Sequence, residues 1–373
     1  MGKDWPSMEK RKVYSIGKKR TTRETFLVSL PYDWAKKVET EYGGNVIITH
    51  YDDKLLIVPE AEKKYREASI DIDGNSPEEM ESKITAAYIG NVQKLSIKIK
   101  NESAGIMEKL ELLRRKLYGT LATSFSNDTL VLSMETPLMP IKNVLGNAEA
   151  FSLSMYEKNE NLMSLKFPYA GDIVSISSQI DSWENDVDLY TFLSKRYLNR
   201  SLIDPESISK LVIKSPQDIL EYYSISSNIE RFADIHVEIR DSLVELNKEM
   251  QEKDKTLKMT GFSLSTFPQK DAAFSDYYLK AVGMVRTAFE NSNPTNPKEE
   301  AELLRVYKTK RQDYRPGFIE REFREEIIKR SRENPFATHL LKIENKIFAI
   351  TGIATNIAEA WMNMHRPDLD LGS

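Results

Sequence analysis

The sequence predicts an α+β protein in three regions: a β domain over residues 1–64, a small α/β module over residues 65–136 and an all-helical region over residues 137–373. Short runs of alternating apolar residues, separated by turn residues, predict the strands of the first two regions. Apolar residues that recur every three or four positions predict the helices of the third. At 373 residues the chain is also too long for a single domain of roughly 150 residues.

The amino-acid composition indicates a folded protein and excludes several kinds of functional site. A hydrophobic content of 40% and a charged content of 29% are ordinary for a folded chain. The absence of cysteine excludes disulfides, zinc–thiolate sites, iron–sulfur clusters and thiol nucleophiles, and it is typical of a reducing compartment. The amino terminus has no apolar leader, and no run of 18 apolar residues is present. We therefore expect a cytoplasmic protein with no membrane insertion.

The first region combines short strands with one short helix. Pro31 precedes the helix, as prolines often do, because the first amides of a helix lack partners. A hairpin follows around the turn Tyr51–Asp53. The predicted elements are strands Arg11–Ile16 and Thr25–Leu30, helix Tyr32–Val38, and strands Asn45–His50 and Lys54–Val58. Roughly fifty residues of this kind bury too little apolar area to be stable alone, so we expect a homodimer with shared strands.

A basic run overlaps the first strand. Seven basic residues and no acidic one occur between positions 10 and 23: Lys10, Arg11, Lys12, Lys18, Lys19, Arg20 and Arg23. Such a run attracts the phosphate backbone of DNA, with a strong dependence on salt. These seven residues are the candidate DNA-binding residues. The alternative is a solvated charged hairpin that only dimerises.

Three segments of this region resemble the SpoVT/AbrB-like swapped-hairpin DNA-binding domain: Arg11–Gly17, Phe26–Pro31 and Trp34–Lys37. The resemblance implies that two chains interleave their hairpins and present basic residues to DNA. The turn Lys18–Glu24 is longer than the family pattern, which bears on the geometry of the basic loop.

The second region alternates strands and helices. Ser76, Pro77 and Glu79 have the residue types of a helix cap, a first helical position and an acidic first turn. The predicted elements are strands around Ala68–Ile72 and Leu95–Ile99, helices Pro77–Ile89 and Ala104–Tyr118, and a hairpin of Leu121–Phe125 with Leu130–Met134. No nucleotide-binding loop or nucleophile elbow is present. We interpret this region as a spacer or dimerisation module.

The third region consists of amphipathic helical stretches that prolines divide into about six helices. Two of these stretches each carry an acidic pair four residues apart, Glu184 with Asp188 and Glu230 with Asp234. Such a spacing places both carboxylates on one helix face. If the two helices pack antiparallel, four oxygen ligands converge, as a divalent cation requires. The alternative is that these acidic pairs only cover a solvated helix face. The chain has 57 acidic residues, so such pairs arise often by chance.

The segments Ser227–Ile239 and Glu184–Tyr190 resemble motif-bearing helices of the PhoU family, regulators of phosphate uptake built from two three-helix repeats. The resemblance implies a double three-helix bundle. It also implies that Glu184, Asp188, Glu230 and Asp234 are metal ligands, for iron, zinc, manganese or magnesium. In the second repeat Phe348 and Gly352 replace the acidic residues, and Phe348 and Ile347 are interpreted as core residues. We therefore expect at most one metal site per chain and a structural second bundle.

The order of the three regions favours a dimeric, DNA-binding transcriptional regulator of phosphate uptake, in which the phosphate link comes from the resemblance alone. The alternative is an interaction protein of the PhoU type that modulates a phosphate transporter or a sensor kinase without binding DNA. An enzyme is not expected. Di-iron sites need a Glu three residues before a histidine, and no histidine of this chain has one. His236 lies in an apolar stripe, where a core hydrogen bond is expected.

Overall fold

The computed structural model describes residues 10–16, 25–51, 54–60, 66–72, 75–99, 104–126, 128–164, 173–257, 274–291, 297–312 and 337–365. Its contacts form two compact units, unit 1 (Met1–Tyr65) and unit 2 (Arg66–Ser373). The mixed α+β class predicted from the sequence is confirmed, with small sheets towards the amino terminus and helices towards the carboxyl terminus. Within the described ranges, no helix is both long and apolar enough to cross a membrane.

Unit 1 contains two antiparallel hairpins and one helix. The hairpins are β1 (Val13–Ile16) with β2 (Thr25–Val28) and β3 (Val46–Tyr51) with β4 (Lys54–Pro59). The helix α1 (Tyr32–Tyr42) continues four residues beyond its predicted end. It stops at Gly43, whose φ of 71° is the left-handed conformation that glycine adopts without a steric penalty.

The hairpins of unit 1 expose their apolar side chains. Phe26 is 63% exposed, and the other large apolar residues on these strands with high exposure are Val13, Tyr14, Leu27, Val28, Ile47, Ile48, Leu55 and Leu56. Among the described residues of this unit, Val38 is the only buried one. The described part of unit 1 therefore forms almost no core within one chain.

Unit 2 begins with a four-stranded sheet covered by two helices. Its elements are β5 (Glu67–Asp71), α2 (Pro77–Ile89), β6 (Lys94–Lys98), α3 (Ala104–Lys116), β7 (Thr120–Ser126) and β8 (Thr129–Met134). The strand order is β5-β6-β8-β7, and only the β5–β6 pair is parallel. Alternate residues such as Leu95 and Ile97 pack on the helices, as period-2 patterning requires. The predicted cap of α2 is confirmed as a reciprocal Ser76–Glu79 capping box.

The rest of unit 2 is helical. Its described helices are α4 (Ile141–Ser164), α5 (Ile173–Ser201), α6 (Pro205–Lys210), α7 (Asp218–Leu257), α8 (Phe274–Glu290), α9 (Pro297–Gln312) and α10 (Ala337–Met364). Helices α4, α5 and α7 pack against one another, and α10 packs against α7, α8 and α9. The 40-residue α7 thus belongs to both groups. Pro205 and Pro297 open helices, in agreement with the predicted breaks.

The predicted core role of His236 is confirmed. Its ring is fully buried, its Nδ1 lies 2.6 Å from the hydroxyl of Tyr278, and Asn159 donates to its backbone carbonyl. Burial lowers the pKa of His236 to about 3, so the ring is neutral at physiological pH. The core role predicted for Phe348 is wrong, because Phe348 is exposed. Ile347 is buried, and one residue along a helix turns the side chain by roughly 100°.

A buried arginine on α5 connects the helices of unit 2 to its sheet through hydrogen bonds. The guanidinium of Arg196 on α5 donates to the carbonyls of Tyr88 (2.5 Å), Val92 (3.0 Å) and Met134 (2.5 Å). It also lies 4.7 Å from the ring centroid of Tyr88. Asn199, one turn further along α5, donates to the carbonyl of Ile89. The acceptors thus lie at the end of α2 (Tyr88 and Ile89), in the following loop (Val92) and at the end of β8 (Met134).

Glu149 on α4 is a partly buried carboxyl that interacts with Glu290 and Arg286 on α8. The pKa of Glu149 is raised to about 8, mainly by burial and also by Glu290, while Arg286 opposes both effects. The folded chain therefore holds a proton on Glu149 across a pH range in which the unfolded chain has lost it.

We predict that Glu149→Gln removes a pH dependence of stability. Because the folded pKa is the higher one, this group's contribution is present below its unfolded value of about 4.5 and is lost as pH rises to about 8. The wild type should lose stability relative to the variant over this window, by at most about 5 kcal/mol. Urea unfolding across this pH range measures the difference. The control is Glu157→Gln, at an exposed position of the same helix, and identical pH profiles for both variants would contradict the prediction.

Candidate functional site

Helices α5 and α7 pack antiparallel, which is the condition under which the two acidic pairs would converge. The hydroxyls of Ser194 on α5 and Ser226 on α7 lie 2.6 Å apart, and Arg240, further along α7, bonds to Asp181 at an earlier position of α5. The later residues of one helix thus face the earlier residues of the other. This pairing places the two acidic pairs opposite each other.

The four predicted metal ligands form one cluster, which we call the carboxylate cluster: Glu184, Asp188, Glu230 and Asp234. All four side chains are partly buried. Burial raises the pKa of Glu184 and Asp188, and neighbouring carboxylates raise both further. Burial also raises the pKa of Asp234, with Glu230 adding to the effect. The cluster therefore concentrates negative charge that needs compensation.

Internal cations supply that compensation. Lys116, the last residue of α3, places its Nζ 2.9 Å from Oδ2 of Asp188. Lys195 on α5 forms an ion pair with Glu230. Arg231 lies 3.6 Å from Asp234 on the same helix. The cluster thus ties α3, α5 and α7 together through opposite charges.

Sequence reasoning missed both lysines. Lys195 follows Asp188 by seven residues, or two helical turns, so a search of the same helix face would have found it. Lys116 is 72 residues from Asp188 and lies on another element. No local spacing signals its contact with Asp188.

A metal ion at the carboxylate cluster would have to displace Lys116 from Asp188 and Lys195 from Glu230. Among the described residues, no group of three or more Asp, Glu or His side chains is arranged to hold a metal ion. The donor set is suited to a hard cation, but the lysines already occupy two of its carboxylates. Binding of iron, zinc, manganese or magnesium at these residues stays a prediction, for which elemental analysis of the loaded protein is the direct test.

The candidate DNA-binding residues fall into two sets. Lys10, Arg11 and Lys12 are exposed and directly precede β1. The ammonium of Lys12 lies 5.9 Å from the ring centroid of Tyr14. The other candidates, Lys18, Lys19, Arg20 and Arg23, lie outside the described residues.

Comparisons of the chain with family models, with curated proteins and with solved structures gave no match. The resemblances to the SpoVT/AbrB and PhoU families rest on the quoted residues and stay predictions. Functional proposals for this chain therefore rest on its own residues and their geometry.

We predict that Glu230→Ala destabilises the protein. The side chain of Lys195 is only 11% exposed, so its charge would lose its carboxylate in a poorly hydrated place. The free energy of unfolding should fall by about 3 kcal/mol, the usual cost of breaking a buried ion pair from one side. Urea denaturation at neutral pH measures it. The matched control is the double variant Lys195→Met/Glu230→Leu, which removes both charges and should recover most of the loss. A single variant as stable as the wild type would contradict the prediction.

Proposed function

We propose that the chain is a DNA-binding transcriptional regulator of phosphate uptake that acts as a homodimer. The observation that carries the proposal is the uncovered apolar surface on both hairpins of unit 1. The resemblance of the helical region to the PhoU family supports the phosphate link. The packing of α4, α5 and α7, and of α10 on α8 and α9, is compatible with a double three-helix bundle.

The exposed apolar residues argue for a second copy. Removing a large apolar side chain from water contributes about 1.5–3 kcal/mol, and isolated two-stranded hairpins are marginal in water. Phe26 and Leu27 on β2, and Val13 and Tyr14 on the paired strand β1, are all exposed in a single chain. Hairpins interleaved with those of an identical chain would bury these residues and leave no unmatched apolar edge.

The charge distribution then favours DNA as the partner. Lys10, Arg11 and Lys12 directly precede β1, so the proposed dimer would carry two such groups. The whole chain has a net charge of −4, so the basic run between positions 10 and 23 contrasts with an acidic remainder. DNA should therefore be attracted to unit 1 and repelled elsewhere.

We predict that Phe26→Glu converts the dimer into a monomer. A buried interface cannot accept an unpaired carboxylate at a position that a phenyl ring should fill. Size-exclusion chromatography with light scattering measures the mass. The control is Leu202→Glu in unit 2, because Leu202 has the same exposed fraction, 63%, as Phe26. A monomeric wild type, or a Phe26→Glu variant that dimerises as tightly as the wild type, would remove the basis of the proposal.

We predict that Lys10→Ala/Arg11→Ala/Lys12→Ala weakens binding to duplex DNA and flattens its dependence on salt. Each lost phosphate contact should reduce the slope of log K against log salt by about 0.9, or roughly 2.7 for three contacts. Fluorescence anisotropy over a salt series measures this slope.

The control for the DNA experiment is Lys94→Ala/Arg115→Ala/Lys210→Ala, which removes the same charge from exposed positions of unit 2. It should leave the slope unchanged. Equal losses in the two triple variants would mean that charge alone, and not unit 1, governs binding. A wild type that does not bind DNA would favour the interaction protein that modulates a transporter or kinase.

A further inference from the structure

One edge of the sheet in unit 2 is open. The strand order β5-β6-β8-β7 makes β7 an outer strand, and no other strand of the described residues pairs with its outer side. The residues from Leu121 to Phe125 are all exposed, with Leu121 at 62% and Phe125 at 45%. An unpaired strand edge presents backbone donors and acceptors that can pair with a strand of another chain.

The two outer strands of this sheet differ in charge. The strand β5 begins at Glu67 and ends at Asp71, and Glu67 forms an ion pair with Lys94 at 3.3 Å. The strand β7 contains no charged residue and no proline. Charged side chains and prolines are common features that keep an edge strand from pairing with another chain. The sequence of β5 therefore protects its edge, whereas the sequence of β7 leaves its edge free to pair.

The lack of charge makes β7 compatible with a second copy of itself. If two β5 strands paired antiparallel in full register, Glu67 of each copy would face Asp71 of the other, and facing like charges are destabilising. Two β7 strands place no charges opposite each other in any register.

The exposed apolar side chains of β7 lie on both faces of the sheet. Leu121 pairs with Ser133 on β8, and Phe125 pairs with Leu130, three positions earlier on β8. Residues an odd number of positions apart on a strand point to opposite faces. A strand added along β7 would therefore cover apolar surface on each face, in addition to forming backbone hydrogen bonds.

A β-bulge limits the strength of such a contact. The pairing of β7 with β8 shifts between Ala122 and Ser124, and the hydroxyl of Thr123 donates to the carbonyl of Val131 at 3.2 Å. The regular stretches on either side of the bulge are short, and bulges weaken edge pairing. We therefore expect pairing only with a strand that is held nearby. The dimer proposed for unit 1 would supply it, because a tether raises the effective concentration to about 1 mM.

We propose that β7 pairs antiparallel with β7 of a second copy within the homodimer, so that the two four-stranded sheets continue as one. The nearby second copy rests on the proposed function. The pairing deepens that function by linking the two copies of unit 2 as well as those of unit 1.

Disulfide cross-linking of the full-length protein tests the proposal. The chain has no cysteine, so a single introduced cysteine can bridge only to the same position of another copy. A two-fold axis perpendicular to the joined sheet places one residue of β7 opposite its own copy, because side chains alternate between the two faces. Facing Cβ atoms lie about 4.5–5.5 Å apart, close to disulfide geometry. Each position from Leu121 to Phe125 is therefore replaced singly by cysteine. At least one variant should form a covalent dimer on mild oxidation, as measured by non-reducing electrophoresis.

Two further variants sharpen the test. The matched control is Ser69→Cys, at an exposed position in the middle of β5, which should not cross-link under the same conditions. Leu121→Lys is then added to the fastest cross-linking variant, or Phe125→Lys where that variant is Leu121→Cys. The added lysine should slow cross-linking about tenfold, because pairing no longer buries an apolar side chain. Both positions are exposed, so circular dichroism should show an unchanged fold.

The proposal is overturned if no β7 variant cross-links faster than Ser69→Cys, or if the added lysine leaves the rate unchanged. The interface of unit 1 is measured separately through Phe26→Glu. A dimer that Phe26→Glu disrupts but that gives no β7 cross-link would refute the β7 contact alone. A β7 cross-link in a protein whose dimer is insensitive to Phe26→Glu would refute the unit 1 interface and retain the β7 contact.

Discussion

The guanidinium of Arg196 determines how unit 2 is assembled. It donates hydrogen bonds to three backbone carbonyls, at the end of α2, in the following loop and at the end of β8, and it stacks on Tyr88. A buried cation is costly unless hydrogen bonds compensate it, and here carbonyl dipoles replace a carboxylate, although the Nε of Arg196 has no partner among the described residues. Because α5 carries both Arg196 and Asp188, the same helix contacts the sheet through Arg196 and contacts Lys116 of α3 through Asp188 of the carboxylate cluster.

The two units differ in how completely they bury their own apolar side chains. Unit 2 has a continuous core between its sheet and helices, for example around Leu95 and Tyr88, and further buried stripes along α4, α5 and α7. The described part of unit 1 buries Val38 alone. Apolar surface left in water is unfavourable in proportion to its area. The described part of unit 1 therefore leaves apolar side chains uncovered within one chain, which is the basis of the proposed dimer.

The sequence predicted what depends on local periodicity and failed where distant residues meet. The capping box at Ser76 and the period-2 strands around Leu95 were correctly placed, because a cap and an alternating pattern are local. The antiparallel meeting of Glu184–Asp188 with Glu230–Asp234 followed from spacing plus one packing assumption. Lys116 and Arg196 were not found, since their partners are 72 and up to 108 residues away and leave no periodic signal. Phe348 was misplaced because an apolar residue on a helix can lie outside its buried stripe.

The carboxylate cluster of unit 2 already contains its own counter-charges. In the carboxylate cluster every strong negative charge has a cation nearby, with Lys116 and Lys195 belonging to the chain itself. A site that is already neutralised gains little from a new ion, because the ion must displace a covalently attached competitor.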